Sequence, residues 1–160
     1  MNVVYLSPGF PAEMPLFVRG LAQVGAKVYG VGDQPAGALP PEAREALTDY
    51  LQVQGFGDEP RVVEEVRQWL RGKSIDRVEC LWEPGVVLAG RVREALDVPG
   101  LTVEQSIPLR DKVAMKNVIE AAGLRTPKHR RAKTAKECRA AAEEIGYPLI
   151  IKPIAGAGSA

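Results

Sequence analysis

The chain has 160 residues, 46% of them hydrophobic and 26% charged, with a formal net charge of +1. That is the make-up of a soluble globular protein with room for one good domain, or one domain and part of another, and no need of disulfide staples. No apolar run approaches the ~20 residues of a membrane span, and Met1-Asn2-Val3-Val4-Tyr5 enters a strand with no basic leader, so a cytoplasmic protein with no membrane partner is expected.

Cys80 and Cys138 stand far apart in no CxxC pattern, and His129 is the single histidine. Neither a disulfide framework nor a multi-histidine metal site can be built from these, and both thiols are expected to be buried. The charge is unevenly placed. Between Arg110 and Lys136 there are nine basic residues against two acidic ones, which leaves 12 basic and 18 acidic elsewhere. A basic patch on a weakly acidic body calls for an anionic partner of limited size. The basic stretch holds no aromatic residue on which a base could stack, so a nucleotide is expected and a nucleic acid is not.

In chain order, residues 2–6 read as a short buried strand, residues 16–25 as a helix with Phe17, Leu21 and Val24 at helical spacing, and residues 26–31 as a second strand. A short helix over 42–47, a strand over 50–53 and a helix over 60–71 follow, the last with Val62, Val63, Val66, Trp69 and Leu70 on one stripe. Residues 77–82 read as a strand, and Leu88, Val92, Ala95 and Leu96 mark the next helix. Short strands alternating with helices predict an α/β domain with a Rossmann-like open parallel sheet.

Such sheets bind ligands at the carboxyl ends of their strands. The rule singles out Ser7 and Gly9 after the first strand and Glu83 after the fourth. Without GxGxxG neither turn is a dinucleotide site. Glu83 is either a helix-start carboxylate favoured by the helix dipole or a polar contact to substrate or to the neighbouring subdomain.

Val98-Pro99-Gly100 marks a boundary, which divides the chain into 1–105 and 106–160. Beyond it, a helix closed by Gly123 carries Met115, Val118, Ile119 and Ala122 on one face, and Lys112 and Lys116, four apart, share another. Thr134 and Glu137 predict a capping box for a helix whose buried stripe is Cys138, Ala141, Ala142 and Ile145. Gly146 stops it, and residues 147–152 read as a strand that ends on Lys152 and runs into Gly156-Ala157-Gly158-Ser159. A strand that delivers an ammonium into a small-residue loop suits a polyphosphate, because glycine lets backbone N–H groups approach phosphate oxygens closely. A Walker A loop is excluded, since the lysine here precedes its glycines.

Asp111-Lys112, Ala122-Gly123-Leu124-Arg125-Thr126-Pro127, Gly146-Tyr147-Pro148-Leu149-Ile150-Ile151-Lys152-Pro153 and Gly156-Ala157-Gly158-Ser159, in that order, resemble the start of an ATP-grasp domain. The region before them is similar to the pre-ATP-grasp domain that accompanies it. The resemblance implies a partial α+β ATP-grasp subdomain after the Rossmann-like one. It also implies that Lys112 and Lys152 bind ATP phosphates, with Gly156, Gly158 and Ser159 closing over the β- and γ-phosphates.

The implied reaction phosphorylates a small carboxylate to an acylphosphate, which an amine or another nucleophile attacks. ATP and Mg²⁺ are the implied cofactors, with the Mg²⁺ ligands downstream of this chain and the catalytic residues unassigned. The chain is therefore expected to be truncated, or the first part of a longer protein, and inactive alone. Two alternatives accompany this reading: bicarbonate phosphorylation of the biotin-carboxylase or carbamoyl-phosphate-synthase kind, and a non-catalytic Rossmann-like binding module. Apolar faces left open by a short grasp domain would favour a homodimer.

Overall fold

The structure, a computed structural model, describes residues 1–156. The chain forms two compact units, Met1–Ser106 and Ile107–Ala160.

The first unit is built on four strands, β1 (Asn2–Leu6), β2 (Lys27–Gly32), β3 (Leu47–Gln52) and β4 (Arg77–Glu79), in the order β3-β2-β1-β4. Every pairing is parallel, with Asn2 opposite Lys27, Leu6 opposite Val31 and Val4 opposite Val78. Parallel strands need crossovers, and the helices α1 (Met14–Gln23), α2 (Pro41–Ala46) and α3 (Glu59–Trp69) belong to those connections, while α4 (Val86–Leu96) follows the last strand.

The alternation of a strand decides which layer each side chain joins. Val3, Tyr5 and Val28 pack with Met14 and Val18 of α1 and Ala43 of α2, while Val4, Leu6, Tyr29, Val31 and Val78 pack with Val62, Val66, Leu88 and Val92 of α3 and α4. Because both faces are covered, the inner strands read as continuous apolar runs. Each fully buried valine or leucine contributes roughly 1.5–3 kcal/mol of transfer free energy. The Rossmann-like open sheet is thus present, and β4 is shorter than the 77–82 expected, because its pairing with β1 ends at Glu79.

One buried charge fixes the end of this unit. Arg93 of α4 is 8% exposed, and its guanidinium donates to the Val78 carbonyl at 2.9 Å and the Leu101 carbonyl at 3.1 Å. Gly100 makes room for it, since a Cβ there would lie 2.7 Å from Arg93 Cδ. The unit closes with the single turn α5 (Val103–Ser106).

The second unit holds α6 (Lys112–Ala121) and α7 (Ala135–Ile145). Asp111 caps α6, its Oδ1 accepting the N–H groups of Val113 and Ala114 at 2.8 and 2.9 Å. Thr134 and Glu137 form the capping box of α7 read from the sequence. The expected strand over 147–152 is absent: the segment is extended but unpaired, with Tyr147, Ile150 and Ile151 more than three-quarters exposed. A strand exists by virtue of its hydrogen-bonded neighbour, and among the described residues all four strands belong to the first unit. For the same reason the α6 stripe lies open, with Val118 55% exposed, and of the α7 stripe only Ala142 is buried. Cys80 is buried as expected, whereas Cys138 is only half-buried.

Candidate functional site

In the first unit, the carboxyl edge of the sheet gathers the loops after β1, β3 and β4. Ser7 takes a positive φ of 58°, its N–H donating to the Val31 carbonyl at 2.8 Å and its hydroxyl to the Phe10 carbonyl at 2.5 Å. These two bonds fold the Pro8–Pro11 turn back over the end of the sheet and leave Ser7 buried. Gly9 lies close against the ends of two side chains. A Cβ there would stand 2.8 Å from Gln34 Oε1 and 2.9 Å from Leu39 Cδ2.

Phe10 is 55% exposed and meets Trp82 edge to face with centroids 6.2 Å apart. Phe56, after β3, meets the same indole at 5.6 Å. Glu83 follows directly and opens a short 3-10 turn over Glu83–Gly85 that leads into α4. Cys80 sits beneath, with its thiol donating to the Trp82 carbonyl and its pKa pushed up to about 11 by burial. Ser7 and Gly9 therefore shape this edge, and Glu83 supplies its charge.

In the second unit, two of the predicted phosphate ligands, Lys112 and Gly156, meet at the first turn of α6. The Lys112 ammonium donates to the Gly156 carbonyl at 3.0 Å, and the Lys112 N–H donates to the Ile154 carbonyl at 3.1 Å. Between these two, the Ala155 carbonyl accepts from the Arg110 guanidinium at 3.2 Å. Asp111 is held below the usual carboxylate range, first by the N–H of Ala114, then by that of Val113 and by the neighbouring charges of Arg131 and Lys112. Lys116 turns elsewhere, to the Pro127 carbonyl at 3.4 Å, so the two lysines that share a helix face tether different segments.

Lys112 and Gly156 are thus brought together by direct contact. The contact runs through a carbonyl, however, not through the backbone N–H groups expected of a phosphate cradle. Lys152 is exposed and makes no hydrogen bond with the described residues. Gly158 and Ser159 lie outside the described residues.

Sequence reasoning missed Arg110, counting it only as one positive charge among nine. The signal was its place beside the helix cap at Asp111, which aims it along the same turn as Lys112. None of the predicted site residues lines the cavities of 570 and 260 Å³ beside α3 or that of 420 Å³ between α1 and α2. A site made from one helix start and one extended strap is an open surface, and its chemistry lies in convergent cations.

Comparison with known proteins gives this geometry a context. Residues 111–160 match the family model described as carbamoyl-phosphate synthase L chain, ATP binding domain. The chain is 33% identical over 95 residues to the alanine–anticapsin ligase of Bacillus subtilis (strain 168), covering 59% of this chain and 20% of that protein. It is 34% identical over 122 residues to the D-alanine–D-alanine ligase of Ectopseudomonas mendocina (strain ymp), covering 68% of this chain and 36% of that one. In three dimensions it resembles the L-amino acid ligase from Bacillus licheniformis, with a TM-score of 0.79 and 25% identity over 97% of this chain and 37% of that structure. The chain spans well under half the length of each of these relatives. Its last residues match an ATP-binding domain and nearly its whole length follows the fold of an amino acid ligase, which supports the resemblance to ATP-grasp superfamily ligases read from the sequence.

Proposed function

We propose that the protein is an ATP-dependent ligase that joins a small carboxylate to an amine or a related nucleophile through an acylphosphate. The observation that carries this reading is the convergence of Arg110 and Lys112 on residues 154–156, within the segment that matches an ATP-binding domain. In the proposed reaction a carboxylate oxygen attacks the γ-phosphorus of ATP, forming the acylphosphate and releasing ADP. The amine then attacks the acyl carbon, and phosphate leaves with the bonding pair.

Phosphoryl transfer needs little beyond positioning and neutralisation of charge, which is what Lys112 and Lys152 supply in this reading. Gly156, with Gly158 and Ser159 after it, would lie over the β- and γ-phosphates. In this reading the carboxyl edge of the sheet forms the substrate side, with Ser7 and Gly9 setting the loop and Glu83 contributing a carboxylate to it. Mg²⁺, which the family implies, finds no ligand set among the described residues: they contain no group of three or more acidic, histidine or cysteine side chains placed to hold an ion. Asp111 is already engaged as a helix cap.

A second reading, phosphorylation of bicarbonate, is favoured by the family model's own description and shares the same lysines. The ligases among the relatives, one of them similar in fold over nearly the whole chain, favour the amino-acid-type carboxylate. A homodimer belongs to the same proposal, since Tyr147, Ile150 and Ile151 are exposed and apolar. Sedimentation as a single monomeric species at every concentration would argue against it.

Calorimetric titration with ATP tests the nucleotide site. Each charge-assisted contact contributes roughly 1.5–3 kcal/mol, so K112A and K152A should each weaken binding about tenfold or more. Unchanged affinity in both variants would remove the basis of the assignment.

A further inference from the structure

Three consecutive carbonyl oxygens face the first turn of α6: Ile154 receives the Lys112 N–H, Ala155 the Arg110 guanidinium, and Gly156 the Lys112 ammonium. The two cations respond differently to a polyphosphate. An ammonium is a compact charge on a flexible stem, and it strengthens its contact by exchanging a neutral carbonyl for an anionic oxygen. A guanidinium carries five donors in a rigid fork, so its hold on one carbonyl does not rest on a single mobile charge that must choose between acceptors.

When Lys112 turns to a phosphate, the Gly156 anchor is lost and two remain, the Lys112 N–H on Ile154 and Arg110 on Ala155. The N–H groups of Val113 and Ala114 cannot replace the lost anchor, because Asp111 holds them.

We propose that Arg110 is a positioning residue of the phosphate site: its guanidinium, on the Ala155 carbonyl, holds residues 154–156 against the start of α6 while the Lys112 ammonium exchanges the Gly156 carbonyl for a phosphate oxygen. This deepens the nucleotide reading above and rests on it. Without Arg110 the strap hangs from one backbone hydrogen bond once Lys112 has turned. The entropy of ordering it then falls on the binding step and appears as lost affinity.

The test compares the parent chain with R110A and R110K by exchange of the Lys112 amide proton, without ligand and with ATP, and by calorimetric titration with ATP. Amide protection in β1 and β2 reports whether each variant is folded. The expected result is a Lys112 amide that exchanges about tenfold faster in ligand-free R110A, together with ATP binding about tenfold weaker. R110K, which keeps the charge and loses the fork, should fall between the two in both readouts.

Weaker ATP binding in R110A with unchanged exchange at Lys112 would make Arg110 an ordinary phosphate contact and overturn the proposal. No change in either readout would overturn it equally. If the parent chain bound no ATP and R110A still released the Lys112 amide, the tether would stand and the nucleotide reading would fall.

Discussion

Met1–Ser106 and Ile107–Ala160 are built from the same kinds of apolar stripe, yet they use them differently. The first unit buries 22 of the hydrophobic side chains described, 21 of them in two layers on either side of its sheet. In the second, Ala142 is the only buried residue described, although α6 and α7 carry Met115, Val118, Ile119, Cys138 and Ile145 at helical spacing. An apolar period states that a helix has a face to bury, and only a facing surface turns that statement into stability. The second unit instead orders itself by caps and tethers: Asp111, the capping box of α7, and the lysine and arginine contacts to loop carbonyls. Such contacts are the kind that ligands can replace.

The difference can be broken most forcefully at Leu88, which is 1% exposed in the larger core cluster. Leu88→Ala should cost about 3 kcal/mol in a denaturant titration, through lost transfer energy and the cavity left behind. The same truncation at Val118, 55% exposed on α6, should cost less than about 0.5 kcal/mol. Equal losses at the two sites would mean that the second unit has a core of its own.

Next in size is Arg93. Arg93→Ala leaves the carbonyls of Val78 and Leu101 without their donor and should cost about 2 kcal/mol in the same titration.

The caps sharpen the comparison from the other side. Asp111→Ala should cost about 1 kcal/mol, seen as faster amide exchange at the start of α6, with β1 and β2 unaffected. The direction with pH follows from the carboxyl's depressed pKa in the folded chain. The cap contributes fully above the ordinary aspartate value of about 3.9 and is lost as pH falls through the lower folded value. Protection at Val113 and Ala114 should therefore fade on acidification from about pH 4 downward, and Asp111→Asn, which caps without titrating, should remove that dependence. The smallest effect is expected at the fully exposed pair of Arg130 and Glu144, 2.7 Å apart. Removing either partner should leave thermal stability unchanged within error.

What was legible in the sequence follows the same division. β1, β2 and α3 stand within a residue or two of their predicted limits, because strand alternation and helical spacing there describe faces that are buried in this chain. Thr134 and Glu137 were equally legible, since a capping box is a local matter of four residues. Residues 147–152 were not: Leu149, Ile150 and Ile151 have the composition of a strand, but a strand also needs a neighbour, and composition does not name one.

The site divides in the same way. Lys112 and Gly156 were singled out from the sequence and hydrogen-bond to each other in the structure, whereas the Arg110 contact was hidden because it depends on where the backbone of residue 155 comes to lie. The residues of the carboxyl edge were singled out by topology, and the Ser7 hydroxyl holds the turn in which Gly9 lies.

The central claim is that nucleotide phosphates are held at the start of α6 and on the strap that follows Lys152. The most direct test is the amide spectrum of the isotopically labelled chain recorded with increasing ATP. The account predicts saturable shifts confined mainly to residues 110–116 and 152–156, lost in K112A. Shifts concentrated instead around Ser7, Trp82 and Glu83 would place the nucleotide on the carboxyl edge of the sheet and contradict it.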